Sequence, residues 1–160
     1  MDEYRFREAR AEDLLALVAM LADDELGRQR ESPGAPLDDG YTAAFEAIQR
    51  DANNELVVCE CGGELLGMLQ ITYIPYLTYI GRWRALIEGV RVASSQRGTG
   101  VGGRLFAWAI ERAREKGCVM VQLTTDKQRP DAIRFYEKLG FTASHEGMKL
   151  WLDRAKTRVR

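Results

Sequence analysis

"SSQRGTGVGGRLFAWAIERA", residues 94–113, sets Gly98, Gly100, Gly102 and Gly103 between Arg97 and a run of apolar residues at helical spacing. Glycine in quantity costs chain entropy on folding, so a turn this rich in it should gain something from the missing side chains. Just upstream, WRALIEGVRVA (83–93) reads as a strand. Downstream, Leu105, Ala109 and Ala113 fall on one stripe of a helix expected from Val101 to Lys116, with Gly117 as its stop. A glycine turn that leaves a strand and opens a helix gathers backbone N–H groups, and with the helix dipole these form an anion site that a phosphate can approach closely. Arg97 adds charge-assisted hydrogen bonds at the rim. A plain corner needs one or two glycines; four in the six residues from Gly98 to Gly103, beside an arginine, favour a phosphate cradle.

The same residues satisfy G-x-G-x-x-G after a strand and before a helix, with Asp126 further on, as in a dinucleotide site. Three features oppose that reading. The turn comes too late for the repeated βαβ halves of such a fold, a hairpin precedes it, and Arg97 stands where the fingerprint calls for no charge.

Working outward, YRFREA (4–9) alternates as a strand, and RAEDLLALVAMLADDELG (10–27) repeats Leu14, Leu17, Val18 and Leu21 at helical spacing. YTAAFEAIQRD (41–51) reads as a second helix. ELVVCECGGELLGMLQITYI (55–74) reads as two strands joined by Gly62–Gly63. Beyond the glycine turn, CVMVQLTT (118–125) has the apolar character of a buried parallel or central strand. RPDAIRFYEKLG (129–140) is a helix with Pro130 near its first turn, and FTASHEGMKLWL (141–152) supplies two short final strands. The order is βααβββαβαββ in one domain, residues 1–153, followed by a basic tail, 154–160.

The 160 residues carry a net charge of −1, which offers no overall field for nucleic acid. The opening MDEYRFREAR is charged from its second residue and reads as neither a secretory signal nor a membrane segment. Cys59, Cys61 and Cys118 show neither C-x-x-C spacing nor a histidine partner, so no metal site is expected; free thiols suit a cytoplasmic protein.

VRVASSQRGTGVGGRLFAWAIERAREKG, followed by CVMVQLTT and DAIRFYEKLGF, resembles the GNAT superfamily of acetyl-CoA-dependent N-acetyltransferases. The likeness covers about residues 55–152 well and the first 30 through their βα order. It implies a mixed, mostly antiparallel α/β sheet with splayed middle strands, flanked by helices, and acetyl-CoA as the acyl donor. Amides of Gly98, Thr99, Gly100, Val101, Gly102 and Gly103 would hold the pyrophosphate, with Arg97 at the rim, while backbone groups of Val90, Arg91 and Val92 would bond the pantetheine arm. Asp131, Ala132 and Phe135 stand where the family meets its coenzyme, with Asp131 in place of a common asparagine. Tyr136, of the FY pair, would protonate the leaving sulfur.

Acyl transfer from a thioester needs a neutral amine, so a base is required. Glu88, a carboxylate in an otherwise apolar strand, is the candidate, acting directly or through water; burial would suit it to that work. A solvent-facing or ion-paired Glu88 is the alternative. Gly89 in mid-strand fits a bulge or a close backbone approach. The aromatic loop TYIPYLTYIGRWR (72–84) offers Tyr76, Tyr79 and Trp83 either as a cation–π wall for the substrate or as a homodimer contact. Asp23, Asp24, Asp38 and Asp39 either attract a cationic acceptor or serve solubility. The expectation is acetyl transfer to a primary amine of a small molecule or peptide. A non-catalytic coenzyme A-binding module and a dinucleotide-dependent oxidoreductase are the competing classes.

Overall fold

The runs on either side of Gly62–Gly63 form the expected hairpin, β2 (Asn54–Cys61) and β3 (Glu64–Ile74), with Cys61 opposite Glu64. The computed structural model describes residues 3–152, and the chain divides between Leu123 and Thr124 into two compact units. In the first unit the hairpin is flanked by β1 (Arg5–Glu8), antiparallel to β2, and β4 (Trp83–Val92), antiparallel to β3. The fifth strand, β5 (Cys118–Gln122), runs parallel to β4, so the sheet order is β1-β2-β3-β4-β5. A mixed, mostly antiparallel sheet flanked by helices is the architecture the resemblance implied.

Period-two alternation sends each strand's side chains to two different layers. On one face, α5 (Val101–Glu115) packs against β3, β4 and β5 with Val101, Leu105, Phe106, Ala109 and Ala113, all buried. It lies over Val57, Leu69, Ile71, Tyr73, Ala85 and Ile87, which are also buried. Each large apolar side chain removed from water is worth ~1.5–3 kcal/mol. On the opposite face Val58 and Met68 form a second core with Leu17 of α1 (Leu14–Ala22) and Phe45 of α3 (Asp39–Arg50).

Three expectations are corrected. The helix foreseen over 10–27 begins as a 3-10 turn (Ala11–Asp13) and breaks after α1, because Asp24 caps a new turn, α2 (Glu25–Arg28), by accepting from the Gly27 amide at 2.5 Å. Strand β5 is parallel as foreseen but not deeply buried; it ends the sheet among the described residues, and Val119 is half exposed. In the second unit, α6 (Pro130–Lys138) forms with Pro130 in its first turn, but residues 141–152 form no strand. A ladder needs a second backbone, and no other strand is found among that unit's described residues. Met148, Leu150 and Leu152 stand exposed there. The basic tail, 154–160, lies outside the described residues.

The chain's first turn is fastened to the sheet by charge. Arg7 of β1 holds both carboxylate oxygens of Asp13, at 2.7 and 3.0 Å, and donates to Glu60 of β2 at 2.8 Å. Asp13, only 7% exposed, also accepts from the Arg10 amide at 2.7 Å. The Arg7 hydrogen bonds hold the Asp13 carboxyl below its usual range, against the opposing effect of burial. A carboxyl depressed in the folded state stabilises the fold above its unfolded pKa, and that stability is lost as pH falls through the folded value. Asp13→Ala should therefore cost about 3–5 kcal/mol at neutral pH, the cost of breaking a buried pair from one side. In urea titrations from pH 7 to pH 3, the gap between wild type and variant should hold until about pH 4 and then close. A gap independent of pH would show that Asp13 acts by packing alone.

Candidate active site

Strand β4 has neighbours on both sides for only part of its length. Its pairing with β5 ends at Leu86 opposite Gln122, while β4 itself continues to Val92 alongside β3. Midway through the one-sided stretch the register slips. Gln70 faces Glu88 and Met68 faces Arg91, so Gly89 and Val90 together oppose Leu69. Gly89 has φ +60, the left-handed geometry of a glycine bulge. A Cβ there would meet nothing within 4 Å, so the glycine serves the bend, and the alternative of a close backbone approach is not found.

The free stretch leads into the glycine turn. Gly98 (φ +81) and Gly100 (φ +93) take left-handed conformations that a side chain would strain, and both face open space. Gly100 caps α5 without a side-chain cap hydrogen bond, and the helix's first turn contains no acid. A helix start leaves its first four N–H groups without intrahelical partners. Uncapped amides, absent Cβ atoms and a nearby arginine suit a phosphate, so the residues present fit the pyrophosphate of a coenzyme.

Arg97 and Arg91 already hold the end of α1. Arg97 donates at 2.9 Å to both the backbone oxygen and the carboxylate of Asp23. Arg91 lies 3.8 Å from Asp24 and donates to the Val90 carbonyl at 2.8 Å. Asp38 caps α3 through the Gly40 amide. Of the four acids considered for attracting a cation, Asp23, Asp24 and Asp38 are thus engaged in caps and ion pairs.

Glu88 is exposed, and the burial expected of it is not found. Among the described residues no β5 residue pairs beside this position, the ladder having ended at Leu86. Beside its cross-strand partner Gln70 lies a polar patch, in which Gln70 donates to Asn54 at 2.9 Å. At the other end of β4, Trp83 is half-buried and the rings of Tyr76 and Tyr79 lie 5.7 Å apart. The short α4 (Thr78–Gly81) between them holds Tyr79 and Ile80 at positive φ. The cation over Tyr76 is the protein's own: the Arg84 guanidinium lies 4.2 Å from the ring centroid. Sequence reasoning passed over Arg84, although its spacing from Glu88 within WRALIEG puts both on one face of the strand.

In the second unit Tyr136 is half-buried, edge-on to Phe135 at 5.5 Å and to Phe141 at 6.1 Å. Phe135, Tyr136 and Phe141 thus form one aromatic cluster. Ala132 is half-buried, and exposed Asp131 pairs with Arg134 one turn on. His145 shares a 2.8 Å contact with Ser144. The three cysteines are free; burial pushes the Cys59 thiol up to about 11 and also raises Cys118, the opposite of an activated nucleophile. No helix among the described residues is long and apolar enough to cross a membrane.

Comparison with known proteins converges on one family. Residues 18–141 match the model of the acetyltransferase (GNAT) family. An aminoalkylphosphonate N-acetyltransferase from Salmonella typhimurium is 31% identical over 87% of this chain and 85% of its own length. A glucosamine 6-phosphate N-acetyltransferase from Trypanosoma brucei brucei is 38% identical over 78% of this chain and 83% of its own. Among solved structures, a transcriptional regulator from Bacillus halodurans C-125 superposes with a TM-score of 0.90 at 59% identity, covering 93% of this chain and 99% of that one.

Proposed function

Because the chain belongs to the GNAT acetyltransferase family, we propose that it moves acetyl from acetyl-CoA to a primary amine of a small molecule or peptide by direct attack in a ternary complex. The observation that carries this reading is the one-sided end of β4 running into an uncapped glycine turn. Val90, Arg91 and Val92 there lack a β5 neighbour, as a strand must if an extended pantetheine is to lie beside it. The Gly98–Gly103 amides hold the pyrophosphate, and Arg97 exchanges Asp23 for a phosphate oxygen. Asp131, Ala132 and Phe135, in the second unit, are kept as coenzyme contacts on the likeness of DAIRFYEKLGF to the family alone. The match over 18–141 runs through the division at Leu123, in keeping with a single acetyltransferase domain over 1–153.

Acetyl-CoA supplies the thioester. Glu88, open to solvent, takes the proton of the incoming ammonium directly or through a water, leaving a neutral nucleophile. The Tyr136 phenol gives a proton to the departing sulfur, while Tyr76, Tyr79 and Trp83 border the acceptor. Tyr136 rests on the likeness of DAIRFYEKLGF to the family, and Glu88 on its place at the bulge. The two N-acetyltransferase relatives act, by their names, on small amines, which supports a small acceptor. We place the protein in the cytoplasm on its free thiols and take the exposed Leu77 and Ile80 as the contact of a homodimer. The 59% identical transcriptional regulator favours a second reading, a coenzyme A-binding module without turnover. Thiol release from acetyl-CoA across a panel of primary amines decides between them; binding without release would establish the module.

Three substitutions test the assignments. Gly100→Asp puts a carboxylate where the pyrophosphate sits, so calorimetry should show acetyl-CoA affinity falling tenfold or more, as the loss of charge-assisted hydrogen bonds at ~1.5–3 kcal/mol requires. Unchanged affinity in a folded variant would remove the cradle. Glu88→Gln keeps shape but cannot take a proton, and kcat should fall by about 10²–10⁴; a near wild-type kcat would return Glu88 to the surface. Tyr136→Phe deletes one oxygen, so kcat should drop with little change in acetyl-CoA affinity, and a thioester with a more acidic thiol should restore part of the rate. Lost stability with kcat preserved would make Tyr136 a packing residue.

A further inference from the structure

Arg84 differs from the other half-buried arginines of its unit. Arg7, Arg91 and Arg112 each sit against an acid: Asp13 at 2.7 Å, Asp24 at 3.8 Å and Glu55 at 3.0 Å. Arg84 has no acidic partner among the described residues, and its Nε is shielded from solvent without a hydrogen-bond acceptor. Partial dehydration of a guanidinium without a counter-ion costs free energy. Stacking on Tyr76, 4.2 Å away, offsets part of that cost and fixes the guanidinium plane, whose N–H fork matches a carboxylate or a phosphoryl group.

Register then places this cation relative to the chemistry. Gln70 faces Glu88, Thr72 faces Leu86 and Ile74 faces Arg84 without a slip, so Arg84, Leu86 and Glu88 share one face of β4. The rise of a strand separates the Cα atoms of Arg84 and Glu88 by about 13 Å, a gap that two long side chains shorten. Leu86 and Thr72 between them are only half-buried. We infer that Arg84, held by Tyr76, binds an anionic group of the acetyl acceptor, a phosphoryl or carboxylate group, on the sheet face that carries Glu88. The inference rests on the acetyltransferase reading for the word acceptor; the anion site itself stands on Arg84 and Tyr76.

Three amines of similar length test it: 2-aminoethylphosphonate, β-alanine and neutral ethanolamine. The wild-type protein should show a higher kcat/KM for one of the two anionic amines than for ethanolamine, and the preferred one identifies the group as phosphoryl or carboxylate. Arg84→Gln should reduce that preference by about ten- to a hundredfold, the value of a charge-assisted fork, and Arg84→Lys, a point charge without the fork, should fall between. Equal use of all three amines by the wild type, or a preference that survives Arg84→Gln, overturns the site. Calorimetric titration of 2-aminoethylphosphonate and β-alanine, with and without coenzyme A, reads binding independently of turnover. Arg84-dependent binding without thiol release sinks acetyl transfer and keeps the site. Thiol release with no Arg84-dependent binding of either anion does the reverse.

Discussion

Strand β4 is bonded on both sides only as far as Leu86, and the rest of the structure is arranged around that fact. A fully paired strand would spend its N–H and C=O groups on neighbours. Here β4 keeps one edge open beyond Leu86, and the Gly89 bulge turns that edge before the chain leaves the sheet. Backbone polar groups are obligatory hydrogen-bonders, so an unpaired interior edge is a standing demand for a partner. In the proposed function the extended amide chain of a pantetheine would be such a partner, and the glycine turn beyond Val92 would take the phosphates that follow it.

Charge fastens α1 to the sheet at both of its ends. At the start, Arg7 clamps Asp13 and Glu60, tying the first turn to β1 and β2. At the end, Asp23 and Asp24 meet Arg97 and Arg91, one on the glycine turn and one on β4. The two clamps differ in exposure. Arg7–Asp13 is largely buried and serves stability, whereas Arg97–Asp23 is half exposed, where an ion pair is worth roughly 0–1 kcal/mol and an entering anion can replace it at little cost. On the other face, Glu55, 7% exposed, is held by Arg112 at 3.0 Å and fixes α5 across β2.

The two ends of β4 thus serve different chemistry. In the proposed function the Val90–Val92 end offers backbone groups to an extended chain, and the glycine turn beyond it offers amides to the phosphates. The Trp83–Leu86 end is paired on both sides, and there recognition falls to side chains: a stacked guanidinium and the aromatic residues around it. Glu88 lies between the two, at the second position past the end of the β5 ladder.

Much of this was legible from local pattern. The Gly62–Gly63 hairpin, the apolar stripe of α5, the positive-φ glycines of the turn and a bulge at Gly89 follow from residue types whose backbone preferences or periodicities act within a few residues. The sequence by itself therefore determined the hairpin, the strand–turn–helix that makes the cradle, and the family. Tertiary structure alone decided the exposure of Glu88, which depends on where β5 stops, and the pairing of Arg97 with Asp23, residues far apart in the chain. It also decided that Arg84 has a ring and, among the described residues, no acid beside it, and that residues 141–152, although alternating in pattern, form no strand. Burial, ion pairing and strand pairing are set by groups distant in sequence, and no short window of residues contains both partners.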